Sequence, residues 1–166
     1  TMTAGMMFGE PQSQENVNVG GVEMVKLTYT PEFVAYADAN GWSNGEQYET
    51  IGLEDVFTAT ASGGSNTGKY YTSGEQWRLY QTESPSLTIS TEVGYKISSV
   101  KITYTTSNTG VLTLNGANID SDNTVNVDNT TVTFGVGNTT DNVTNGQVRI
   151  TDIYIIYTEV SVEIVP

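Results

Sequence analysis

Residues 95–105 read YKISSVKITYT, and residues 148–158 read VRITDIYIIYT, in step at an offset of 148 − 95 = 53. Lys96 answers to Arg149, Ile97 to Ile150, Ser98 to Thr151, Val100 to Ile153, Ile102 to Ile155 and Tyr104 to Tyr157. Apolar and polar residues alternate in both copies, the period of a half-buried strand. Both copies also break step at one place. After Tyr95 and Ile97 comes a polar pair, and Val100, Ile102 and Tyr104 resume one residue out of phase. A slip of one residue exchanges the faces of a strand. The spacing therefore predicts two long core strands of one sheet, each bulged, at Ser98-Ser99 and at Thr151-Asp152.

Outward from this pair, the chain reads as about ten short strands between turns. Candidates include 22–29, 55–61, the hairpin 70–72 with 76–80 about Ser73-Gly74, 87–90, 111–114, 125–127, 132–136 and 160–165. Pro31 reads as ending the first strand or placing it on an edge, and residues 33–37 as a short strand or a helical turn. Trp77 and Leu79 share a face, which predicts core. No long amphipathic helix is visible. The expected fold is all-β: a two-sheet antiparallel β-sandwich, jelly-roll-like, with an extended N-terminal tail. Residues 1–21 are the tail or linker and residues 22–166 the sandwich.

The totals exclude more than they assign. The chain has 166 residues and a net charge of −13, from 19 acids and 6 bases. That balance opposes nucleic acid, whose phosphates require a basic face, and suits a solvated exterior in contact with salt or divalent ions. Cys 0 removes disulfides, thiolate nucleophiles and cysteine zinc sites, and His 0 removes the usual general base and most transition-metal sites. Paired carboxylates remain, but Glu46, Glu49, Glu54 and Asp55 are only acids near a loop. The reading is not an enzyme. No run approaches the roughly 20 apolar residues of a membrane span. No basic-then-apolar leader is present, so the N-terminus is expected to be mature, truncated or not exported by that route.

The run from Ala39 to Tyr157 resembles a family of small β-sandwich modules in secreted and surface proteins of gut anaerobes. The matching residues are Asn40-Gly41-Trp42-Ser43-Asn44-Gly45, Lys69-Tyr70-Tyr71-Thr72-Ser73-Gly74 and Arg78-Leu79-Tyr80. Leu87-Thr88-Ile89-Ser90, Ile97-Ser98-Ser99-Val100-Lys101-Ile102 and Gly146-Gln147-Val148-Arg149-Ile150 complete them. The resemblance covers some two-thirds of the chain. It implies a jelly-roll-like accessory part of a larger surface protein, of a kind often suspected of carbohydrate binding or adhesion, and it carries no catalytic motif.

Three groups of residues are candidates for binding. Trp42, Tyr71 and Tyr80 offer aromatic rings to the apolar faces of a sugar. Asp120, Asp122 and Asp128 supply oxygens suited to calcium, the one cofactor candidate, although a solvated acidic turn is the simpler reading. Met6, Met7 and Phe8 could anchor the tail on another subunit, with Val17 and Val19 in a strand added to its sheet edge. The expected function is a non-enzymatic structural or adhesive module of an extracellular assembly: cell surface, filament or virion decoration. The alternative is a carbohydrate-binding module using a loop aromatic site. Partners are then other protein subunits, self included, or a glycan, with no nucleic acid and no membrane span.

Overall fold

The computed structural model describes residues 15–19, 22–53 and 56–160. Two antiparallel sheets face each other. Sheet A contains β1 (Glu15–Val19), β2 (Val22–Lys26), β5 (Lys69–Tyr71), β6 (Gln76–Tyr80), β8 (Tyr95–Ser107), β11 (Thr124–Asn129) and β13 (Gln147–Glu159). Sheet B contains β3 (Thr50–Leu53), β4 (Phe57–Ser62), β7 (Ser86–Thr91), β9 (Gly110–Leu114), β10 (Ala117–Ile119) and β12 (Thr131–Asn138), in the order β10-β9-β12-β7-β4-β3. From β7 onward the chain repeatedly crosses between the sheets, which gives the sandwich its jelly-roll-like course.

The two echoed stretches are β8 and β13, 13 residues each, and they pair with one another from Gln147↔Ser107 to Glu159↔Tyr95. Both expected bulges are present. Register slips between Ile150 and Asp152, leaving Thr151 without an opposite residue, and again between Ile156 and Tyr157, where Ser98 is passed over. Ile97, Val100, Ile150, Ile153 and Ile155 are fully buried, and Ile102 nearly so. Truncating Ile155 to alanine should cost roughly 2–5 kcal/mol, the range for a large aliphatic in a close-packed core. Urea unfolding followed by far-UV circular dichroism would measure it. A midpoint equal to wild type would remove β13 from the core.

The length of β13 organises the rest of sheet A. One side pairs with β8 along its whole length, and β8 in turn carries β11. The other side is shared. β6 takes residues 147–150, and β2 takes residues 154–157. Between them the Thr151 bulge frees a carbonyl and an amide, and the buried Thr28 hydroxyl serves both. It donates to the Thr151 carbonyl at 2.9 Å and accepts from the Ile153 amide at 3.1 Å.

Two readings from the sequence change. Pro31 does not close a strand; it opens helix α1 (Pro31–Ala39). The Thr30 hydroxyl accepts from the Phe33 amide at 3.0 Å, and Pro31 stands where a missing N–H costs nothing. The helix buries Phe33 and Ala37. Residues 15–19, read as part of the tail or linker, form β1 and pair with β2 of their own chain. Residues 161–166, where a last strand is expected, lie outside the described residues.

Candidate functional site

The outward face of sheet A is where side chains with recognition chemistry gather. Strand alternation puts Tyr70, Trp77 and Leu79 into the core and turns Lys69, Tyr71, Gln76, Arg78 and Tyr80 outward. On β13, the same alternation buries Val148 and Ile150 and turns Gln147 and Arg149 outward. Register then sets Lys69 opposite Arg78, Arg78 opposite Arg149, and Tyr80 opposite Gln147. Three cations thus occupy one row across β5, β6 and β13.

The row is built from neutral supports. The Arg78 guanidinium lies over the Tyr71 ring, 3.8 Å from its centroid, and its Nε donates to Gln76 Oε1 at 3.1 Å. Arg149 repeats the arrangement, donating from Nε and Nη2 to Gln147 Oε1 at 3.1 and 3.0 Å. Burial first, and then the neighbouring Tyr71 hydroxyl, push the Tyr80 phenol above the ordinary tyrosine range, while Arg78 opposes them. Tyr80 therefore stays a neutral donor and acceptor beside the Arg78 guanidinium. Each arginine keeps N–H donors beyond those its glutamine takes.

Of the aromatic residues expected to act together, Tyr71 and Tyr80 share this face, and Trp42 does not. The Trp42 ring stacks on Tyr48 with centroids 4.3 Å apart and meets the edges of Phe33, Tyr36 and Tyr70. Tyr70 points into the core from the strand that turns Tyr71 outward, so Trp42 belongs to the opposite side of β5. Half-buried and surrounded by rings, it ties α1 and the following loop to the sandwich.

The expected calcium ligands are engaged separately. Asp128 pairs with Lys96 at 2.8 Å. Asp122 Oδ1 accepts from the Thr103 hydroxyl, pinning the β10–β11 turn to β8. The Asp120 carbonyl closes that turn on the Asn123 amide. Among the described residues no three His, Cys, Asp or Glu side chains are grouped to hold a metal ion. Met6, Met7 and Phe8 lie outside the described residues, and Val17 and Val19 sit opposite Met24 and Val22 in the pairing of β1 with β2.

Lys69, Gln76, Arg78, Gln147 and Arg149 were not among the binding candidates read from the sequence, though a signal was present. Gln76-Trp77-Arg78 and Gln147-Val148-Arg149 are the same Gln-x-Arg triplet, and residues two apart share a strand face. Fold and face together define a two-sheet β-sandwich with a cationic, tyrosine-flanked patch on one outer sheet. Set against family models, curated proteins and solved structures, the chain matches none. No helix among the described residues is long and apolar enough to cross a membrane.

Proposed function

We propose that the chain is a non-enzymatic adhesive module of a surface or secreted assembly, and that it adheres by binding a glycan on the outer face of sheet A. The observation that carries this reading is the outward group Tyr71, Arg78 and Tyr80, placed side by side on β5 and β6. Tyrosine presents an apolar ring with a polar tip, and guanidinium and amide groups suit sugar hydroxyls. The absence of His and Cys fits binding without turnover. The resemblance to surface modules of gut anaerobes points the same way.

The test is affinity gel electrophoresis of the intact chain through a panel of neutral and acidic polysaccharides. At least one should retard it, and Tyr80→Ala should abolish most of the retardation while leaving the circular dichroism spectrum unchanged. Trp42→Ala should lower thermal stability and leave the retardation of the folded fraction intact. If no polysaccharide retards the chain, or Tyr80→Ala is retarded like wild type, the glycan reading fails.

A further inference from the structure

The distribution of charge names the ligand more closely. All six basic residues of the chain, Lys26, Lys69, Arg78, Lys96, Lys101 and Arg149, lie on strands of sheet A at outward positions. The strands of sheet B contain no charged residue at all. Outward lysines and arginines are ordinary on a solvated sheet, so segregation alone would mean little. What separates the two halves of sheet A is compensation.

In the half bounded by β2 and β11, two of the three cations have a carboxylate partner, and the third lies over a tyrosine ring as Arg78 does over Tyr71. Lys26 pairs with Asp152 at 3.0 Å, Lys96 with Asp128 at 2.8 Å, and Lys101 lies over the Tyr154 ring at 4.9 Å. In the half bounded by β5 and β6, Lys69, Arg78 and Arg149 stand in consecutive register with no carboxylate in salt-bridge range among the described residues. The residues opposite or flanking them on that face are Gln47, Tyr71, Gln76, Tyr80, Gln147 and Thr105, none of them acidic, and the Asp152 carboxylate further along β13 is taken by Lys26. Like charges directly opposite on paired strands destabilise a sheet. A chain with 19 acids and 6 bases has had every opportunity to neutralise three cations. Local rules are broken in this way where a site requires it.

We infer that the glycan is anionic, a chain carrying repeated carboxylate or sulfate groups that lie along Lys69, Arg78 and Arg149. This rests on the glycan reading above and adds the charge of the ligand. Gln76 takes only Nε of Arg78, and Gln147 takes Nε and Nη2 of Arg149, which leaves N–H donors on each guanidinium for contact with an oxyanion. The row crosses two inter-strand intervals, about 10 Å, so it can take more than one charged sugar at a time. At physiological ionic strength the Debye length is about 8 Å, so a ligand on the row is governed by the row rather than by the acids across the molecule.

The experiment is calorimetric titration of the intact chain with polygalacturonate, heparin and dextran, at low and high sodium chloride. One or both polyanions should bind at least about tenfold more tightly than dextran and weaken as salt rises. Arg78→Ala and Arg149→Ala should each weaken that binding about tenfold, the equivalent of one charge-assisted hydrogen bond. Lys96→Ala, which removes a compensated cation, should leave it unchanged. Preference between polygalacturonate and heparin distinguishes a carboxylated ligand from a sulfated one. If dextran binds as well as the polyanions, or the arginine variants bind like wild type, the anionic inference is overturned and the glycan reading stands. If none of the three binds and no polysaccharide retards the chain, both are overturned.

Discussion

Trp77→Ala is expected to remove roughly 3–5 kcal/mol of stability, a large share of the roughly 5–15 kcal/mol typical of a folded domain. Trp77 is fully buried on β6, directly beneath the outward positions that carry Arg78 and Tyr80. Its indole Nε1–H is shared between the carbonyls of Tyr48 and Gly68, at 2.9 Å each. Gly68 comes this close because it has no Cβ, which would meet the indole nitrogen at 3.4 Å and the Tyr48 carbonyl at 2.9 Å, and because its φ of +84° suits glycine. The ring therefore packs the core and also fastens β6 to the loop that enters β5. Alanine opens a cavity and takes the indole donor from the Tyr48 carbonyl, while the Gly68 carbonyl still accepts from the Tyr48 amide at 2.9 Å. Trp77→Phe keeps most of the volume and loses only the donor, so about 1–3 kcal/mol is expected. Urea titrations of both variants give the two numbers separately. A phenylalanine variant as stable as wild type would show that the indole hydrogen bonds contribute little.

Thr28→Val is the second large effect, and it tests the bulge itself. The substitution is nearly isosteric, so packing changes little, but a buried hydroxyl disappears. That hydroxyl is the partner of both groups the bulge releases, the Thr151 carbonyl and the Ile153 amide. Each buried group left unpaired costs roughly 1–3 kcal/mol. Thr28→Ser retains the hydroxyl and loses a methyl group, for about 1 kcal/mol. The expected order of stability is wild type, then serine, then valine. Hydrogen exchange at the Ile153 amide should accelerate in the valine variant alone. A valine variant as stable as the serine one would mean that water takes over the role of the hydroxyl.

Much of the sandwich was legible because strand alternation is a local property. Tyr95, Ile97, Val100 and Ile102 announce a bulge from their spacing alone. The turn at Ser73-Gly74 announces the β5–β6 hairpin. Thr30-Pro31-Glu32 carries a helix start as clearly, yet Pro31 also ends strands, and nothing nearby in the chain chooses between the two readings. The choice falls to Phe33 and Ala37, which find a core to fill. Residues 15–19 were ambiguous for a similar reason. An alternating strand pairs with whichever edge is nearest, and β2 follows β1 within three residues of the same chain.

The candidate site was legible in parts and hidden as a whole. Tyr71 and Tyr80 could be placed on outward positions from alternation, and the two Gln-x-Arg triplets could be seen. Trp42 looked exposed because two Asn-Gly turns flank it, but the aromatic partners that cover it come from α1, β5 and Tyr48. Nothing in the sequence sets Arg78 against Arg149, which stand 149 − 78 = 71 residues apart. Their meeting depends on β6 and β2 dividing one side of β13, and that division is fixed by which pairings bury the most apolar surface at acceptable loop-closure cost. The sequence by itself determined the strands, their bulges and which side chains face out. Only the tertiary structure decided which outward faces adjoin, because side-chain direction follows from neighbours along the chain and pairing does not.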